Sequence, residues 1–304
     1  MLPAALLAQG FGWRVAVGAP ALIVLVMSGV ALHALPAHRH WGCTEDDPRS
    51  RLVPGGLLPR KVTLGGVVKA YPHLLLLGLA YCFVKLARYL ALLWLPLFLH
   101  ERLGFSPPTA GFASTAFDAG GALGGGVWGT VADGRLLRGR RVCLAVPLCV
   151  MAGLGALGCA ALRLPAAPGQ SAVAGAGGSG GALTLVVASL GAFGFVLAGP
   201  ETSLSGASVQ DIVATHPFDI SATASALVNG IGAIGPIAQG PLAAFTLAQA
   251  GWAGLFQGMG LCCGIASVLL VPIARSEARQ YSGGGGKAVS AQFEGNYIAY
   301  PQRA

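Results

Sequence analysis

Long apolar runs, broken by polar or glycine-rich connectors, dominate the chain. A helix that crosses a bilayer needs about 20 mostly apolar residues at a rise of about 1.5 Å each. Seven runs reach that length, at residues 15–35, 71–99, 110–131, 142–164, 182–203, 222–247 and 254–274. The third and sixth are glycine-rich, with Gly120, Gly121, Gly124, Gly125, Gly126 and Gly129 in one and Gly230, Gly232, Gly235 and Gly240 in the other. Glycine at such density predicts helices that pack backbone to backbone or bend. Pro236 and Pro241 place the expected kink in the sixth run. Residues 1–7 are apolar but too short to span and carry no basic n-region, so they read as the tail of a helix that begins earlier rather than as a cleaved signal.

The connectors are uneven. Residues 37–69 form a polar, proline-containing loop, with basic residues from His38 to Lys69 and an acidic patch at Glu45, Asp46 and Asp47. Residues 165–181 are low-complexity, and the tail after Arg275 contains Gly283 to Gly286; both predict disorder. The expected organisation is therefore a last helix of an N-terminal half at 1–36, a central cytoplasmic loop at 37–69, a six-helix half at 70–275 and a disordered cytoplasmic tail at 276–304. Lysine and arginine positions set the orientation. Fourteen of the nineteen fall in the loop after the first run, the loop after the third and the tail, against Arg14, Arg102 and Arg163 on the other side. That split puts the central loop and the C-terminus in the cytoplasm.

Composition agrees with the pattern. The 304 residues are 54% hydrophobic and only 10% charged, where a soluble domain carries about 25% charge; mean hydropathy is +0.68. The net charge of +8 could suggest nucleic acid, but the charges cluster in short loops beside apolar runs, which argues for a bilayer and against a nucleic-acid partner. Seven cysteines form no CxxC or Cys/His pattern and read as small packing residues, so no metal or cofactor is expected. His33 and His100 sit near helix ends without a Ser/His, paired-acid or metal constellation, so the chain is not read as an enzyme.

Two cations interrupt the second run at its middle: Lys85 and Arg88. On insertion scales each such charge costs roughly 2.5–3.5 kcal/mol in hydrocarbon, a cost met only where it faces a partner or a watery cavity. They are three residues apart and share a helix face, with Tyr81 and Tyr89 on nearly the same stripe. A forked guanidinium beside a point-charged ammonium suits a phosphate group. The other reading pairs both cations with carboxylates from neighbouring helices, for which Asp118 is the candidate; one acid would leave one cation over. Asp118 is an isolated acid that would serve a structural or gating salt bridge, or carry a proton. Glu201 follows Gly199-Pro200 near the end of the fifth run and reads either as an interfacial carboxylate or as a functional acid.

The stretch Gly129-Thr-Val-Ala-Asp133-Gly-Arg135-Leu-Leu-Arg138-Gly-Arg140-Arg141 combines a glycine for close helix approach, an acid at a helix end and a basic cluster. It resembles the loop signature of the major facilitator superfamily, in the copy between helices 8 and 9. The resemblance implies that Gly129, Asp133, Arg138, Arg140 and Arg141 lock and release helix ends during alternating access and do not bind substrate. Val84-Lys85-Leu86-Ala87-Arg88-Tyr89, followed by Trp94-Leu95-Pro96, is similar to helix 7 of the organophosphate:phosphate antiporters, above all the eukaryotic sugar-phosphate exchangers. Asp118-Ala-Gly-Gly, Gly199-Pro200, residues 222–235, Gly251-Trp252 and Gly12-Trp13-Arg14 extend the likeness over about residues 10–275.

That resemblance implies an all-α facilitator fold of about seven transmembrane helices, equivalent to helices 6–12, with most of the N-terminal half missing. It also implies exchange of a sugar phosphate or glycerol phosphate for inorganic phosphate, with Lys85, Arg88, Tyr89 and Tyr81 lining the site. In that family the phosphate lies between a basic residue on helix 1 and one on helix 7; Arg88 is the helix 7 member, and the helix 1 partner has no counterpart, so the chain is expected to be truncated. By analogy the membrane is that of the endoplasmic reticulum. The competing expectations are a proton-coupled carrier of another small solute working through Asp118 and Glu201, and a seven-helix scaffold that transports nothing.

Overall fold

The computed structural model describes residues 13–34, 64–134, 137, 140–161, 179–214 and 220–282. They form helices: α1 (Trp13–Ala34), α2 (Leu64–Ala70), α3 (His73–Leu103), α4 (Pro107–Asp133), α5 (Arg141–Ala161), α6 (Ser179–Thr202), a single π turn (Ser203–Ala207), α7 (Ser208–Val213), α8 (Ser221–Gly232) and α9 (Ile234–Ser282). Two expectations change at the edges. The end of the supposed central loop is the short helix α2, and the helix that was to give way to a disordered tail at residue 276 continues to Ser282. The remainder of the central loop, the low-complexity connector at 162–178 and the tail from 283 lie outside the described residues.

Four stretches are long and apolar enough to cross a membrane: His73–Leu103, Arg141–Ala160, Thr184–Val213 and Ser221–Arg279. The last, at 59 residues, is two rods in sequence. They meet at Gly251, whose φ of 62° and ψ of −162° no side chain tolerates comfortably. Within the sixth run itself the helix is interrupted at Ala233, between α8 and α9 and three residues before Pro236, while Gly251 falls beyond that run. Pro236 sits in the first turn of α9, where its missing N–H has no intrahelical partner to lose, and the helix runs on through Pro241. α4 has 27 residues, ample length, but its glycine, serine and threonine dilute its hydropathy. In α1 the described side chains from residue 21 to 30 are exposed, Leu22 to Met27 among them.

The helices pack as neighbours: α4 along α6, α9 against both α5 and α3, and α8 against α3. α4 and α6 come together without side chains between them. A Cβ added at Gly120 or Gly124 would overlap the carbonyl oxygens of Gly191 or Phe195, and one at Gly194 would overlap that of Phe117. The Trp128 indole crosses the seam and donates to the Phe195 carbonyl at 2.9 Å. This is the small-residue packing expected of helices in lipid, where close backbone contact replaces the hydrophobic drive. Gly129 takes no part in it: a Cβ there meets nothing within 4 Å, so the close approach sits one to two turns earlier than the motif suggested.

Two buried clusters fill the bundle. One gathers Leu90, Leu95, Leu99, Phe117, Leu197, Phe256 and Met259 towards the end where α3 finishes. The other gathers Leu74, Leu77, Val84, Cys149, Leu204, Val209, Val228 and Leu270 towards the opposite end. On α3 the two meet between Val84 and Leu86, where Lys85 stands.

Candidate functional site

Lys85 is twelve residues into α3, about 18 Å along the helix from His73 and well inside a hydrocarbon core of about 30 Å. Arg88 lies one turn further. Its Nε stands 2.7 Å from Glu201 Oε2 in an ion pair, and the two side chains are only 18% and 22% exposed. Its ring of contacts is otherwise apolar. The guanidinium carbon stands 5.7 Å from the Phe117 ring centroid, and a Cβ on Gly121 would lie 3.1 Å from Nη2 and 3.2 Å from Nη1. Gly121 is thus the gap in α4 that admits the arginine head. Nη1 is buried and has no hydrogen-bond partner.

Lys85 has no carboxylate in ion-pair contact among the described residues; its Nζ lies 4.4 Å from the centroid of the Tyr81 ring, one turn back on the same helix. Tyr81 is buried at 3% exposure. Tyr89 is half-buried on the same stripe and close enough to Tyr81 for the two phenols to interact. All four residues expected to line the site lie along about 12 Å of α3.

The acid that meets Arg88 is Glu201, not Asp118. Asp118 is half-buried on α4 and makes no ion pair among the described residues. Glu201 lies deeper than its place in the sequence suggested. The apolar span continues past Thr202 through the π turn and α7 to Val213, so Glu201 is interior to a 30-residue stretch rather than at its edge. π turns recur at functional sites. This one is stapled by Asn229 of α8, whose side-chain amide donates to the Ser205 carbonyl at 3.2 Å and to its own helix at Ser225 at 3.1 Å. Ser205 and Asn229 were not singled out from the sequence, although an amide inside the apolar run 222–247 was a visible signal.

A second charged cluster occupies the end where α4, α7 and α9 finish and α5 begins. Arg141 reaches Asp133 at 2.6 Å through Nη2 and Asp211 of α7 through Nη1. Glu277 of α9 accepts from the backbone N–H groups of Val142 at 3.4 Å and Cys143 at 2.9 Å, capping the start of α5 from another helix. Arg140 is the half-buried residue just before α5, its backbone N–H bonded to the Leu137 carbonyl at 3.0 Å. Arg138 lies outside the described residues. Asp133 and Arg141 thus pair as a helix-end latch, with Asp211 as a partner that sequence spacing did not reveal. At the opposite end the Trp252 indole donates to Glu101 at 3.1 Å, tying the start of the second rod of α9 to α3.

Apolar helices long enough to span, joined through bare glycine seams and carrying an ion pair at mid-length, define an all-α integral membrane protein. The chain belongs to the Major Facilitator Superfamily, whose family model matches residues 1–238. It is similar to the glucose-6-phosphate exchanger SLC37A2 of Xenopus tropicalis, 29% identical over 230 residues that cover 74% of this chain and 42% of the relative. It is also similar to SLC37A2 of Danio rerio, 31% identical over 70% of this chain and 40% of the relative. Against the human glucose-6-phosphate exchanger SLC37A1 it is 29% identical over 73% of this chain and 39% of the relative. The chain spans about two fifths of the length of these curated relatives.

Proposed function

We propose that the chain forms the C-terminal part of a secondary transporter that exchanges a sugar phosphate or glycerol phosphate for inorganic phosphate by alternating access. One observation carries this reading. Two cations stand at mid-span with one carboxylate paired to them among the described residues, Lys85 without an acid in ion-pair contact and Arg88 paired with Glu201 but with a buried, unpartnered Nη1. An anion supplied from solution satisfies both. The names of the similar proteins, glucose-6-phosphate exchangers and a sugar phosphate exchanger, support a phosphorylated guest. On this reading Tyr81 and Tyr89 flank the guest, and residues 70–275 form one of the two halves between which such carriers hold substrate. Asp133, Arg141 and Asp211 hold helix ends together in one state and part in the other. The C-terminus is cytoplasmic by its basic residues, and the membrane is that of the endoplasmic reticulum by analogy with the eukaryotic exchangers.

The test is exchange of labelled phosphate by the full-length protein in proteoliposomes. Arg88→Ala abolishes it, and Asp118→Asn harms it less because Asp118 holds neither cation. Normal exchange by the Arg88 variant removes the phosphate reading. A proton-coupled carrier of another solute is the second reading, favoured by the mid-span position of Glu201. It predicts uptake driven by a pH gradient with no phosphate on the far side, which an obligate exchanger does not give.

A further inference from the structure

The charges at mid-bundle do not cancel. Glu201 is the one carboxylate in ion-pair contact with either cation among the described residues, and its partner is Arg88 Nε. Lys85 is close enough to act on the same carboxylate through space while its ammonium lies against the Tyr81 ring. A guanidinium has five N–H donors and a fixed fork. With Nε in the ion pair with Glu201 and Nη1 unpartnered, Arg88 has N–H donors left for a second acceptor one turn from Lys85. Phe117 and Gly121 on α4 hold the head in place from the other side. The remaining ionisable side chains near this level are phenols, Tyr81 and Tyr89, and Asp118, which pairs with neither cation.

We infer that Glu201 sets the charge of the site, offsetting one of its two cations so that Lys85 and the remaining donors of Arg88 match a phosphoryl group bearing one negative charge better than one bearing two. The inference rests on the reading that these cations hold a phosphorylated guest. It names which ionisation state of that guest is preferred. A phosphate monoester loses its second proton near pH 6, so both states are present around neutrality and the site has a choice to make. A second negative charge on the guest would face Glu201 with no cation left for it. Charges contributed from elsewhere in the protein move the absolute preference, but the change on removing Glu201 belongs to Glu201.

Anions of fixed charge remove the complication of the guest's own titration. Sulfate is a tetrahedral dianion and methanesulfonate a tetrahedral monoanion across the neutral range. Their affinities, and that of inorganic phosphate, are measured by thermal-shift titration of the purified full-length protein in detergent. Glu201→Gln is expected to raise the ratio of sulfate to methanesulfonate affinity by about tenfold or more, the scale of one unscreened charge at close range. Glu201→Asp keeps the charge and holds the ratio near the wild-type value. Lys85→Gln removes a cation instead and lowers the ratio by about tenfold on the same grounds. A Glu201→Gln ratio equal to wild type overturns the inference; should that variant fail to fold, an unchanged ratio in Lys85→Gln overturns it as well. If wild type binds phosphate and Arg88→Ala does not, while the Glu201→Gln ratio stays put, only the charge-setting role falls. If wild type binds none of the three anions, the phosphate reading itself falls.

Discussion

Charge is arranged in opposite senses in the middle of the bundle and at its rim. In the middle, two cations, Lys85 and Arg88, face one carboxylate, Glu201. At the rim, one guanidinium, Arg141, serves two carboxylates, Asp133 and Asp211. The surroundings decide what each surplus means. Asp133 is 61% exposed, so water reaches the carboxylates at the rim. In the middle the paired groups are largely shielded and one arginine nitrogen is buried without a partner, which on the proposed reading is where a guest anion binds. On the proposed reading the rim works as a latch and the middle as a receptacle, although both rest on short-range pairs of an arginine with a carboxylate.

The largest effect separates them directly. Arg88→Ala leaves Glu201 an interior acid without its ion-pair partner, with Lys85 still acting on it through space, at a cost of about 3 kcal/mol, the low end for breaking a shielded ion pair from one side. It also removes phosphate binding. Replacing both partners, Arg88→Ala with Glu201→Ala, is expected to recover most of the stability but none of the binding. Apparent Tm in detergent and phosphate titration read the two separately. Equal loss of stability in the single and double variants would mean that the pair does not act as a unit.

At the rim, Arg141→Ala parts two acids from their shared cation where solvent reaches them. The expected cost is about 1–2 kcal/mol, near the upper end for exposed pairs because two bonds go at once. Salt distinguishes the two regions further. The Debye length falls to about 3 Å at 1 M, so high salt should erase most of the Arg141 effect and little of the Arg88 effect on stability. A rim that keeps its full contribution in high salt would be as shielded as the middle, and the contrast would fail.

Gly121→Ala touches the middle alone. The added methyl lies against Nη1 and Nη2 at 3.1–3.2 Å, so the head must shift by a few tenths of an ångström. Phosphate affinity should drop by about threefold, or roughly 0.6 kcal/mol, with Tm almost unchanged. Gly129→Ala, where the Cβ enters open space, is the control that should alter neither.

The two regions also differed in how much of them the sequence disclosed. Lys85 and Arg88 stood out because a charge inside an apolar run has to be explained. The depth of Glu201 did not, because residues 202–208 read as the polar end of a span. In the folded chain their hydroxyls bond back to their own helix: Thr202 to Ala198 at 3.0 Å, Ser205 to Thr202 at 3.2 Å, Ser208 to Ser203 at 2.7 Å. Hydroxyls satisfied this way cost a buried helix little, so the span runs on and carries Glu201 inward to Arg88. At the rim Asp133 was legible from its spacing to the basic cluster. Asp211 was not, lying 70 residues from Arg141 in the chain. Gly129 misled because spacing marks a glycine without saying whether a neighbour faces it, and the facing backbone lies at Gly120 and Gly124 instead.

A further small effect tests whether the contacts at the rim are more than ion pairing. Glu277 reaches across from α9 to the first free N–H groups of α5, at Val142 and Cys143, and so fixes the end of the helix that carries Arg141. Glu277→Gln keeps a side-chain oxygen that can accept those bonds but loses the favourable interaction of a carboxylate with the positive end of the helix, worth about 0.3–1 kcal/mol. Glu277→Ala loses the acceptor too and should cost about 1 kcal/mol, as a lost N-cap does. If the cap positions Arg141, the cost of Arg141→Ala must shrink in the Glu277→Ala background, because a guanidinium no longer held in line has less to lose. A double-mutant cycle on Tm reads that coupling. Strict additivity would make Glu277 a local helix cap and leave the latch to Asp133, Arg141 and Asp211 alone.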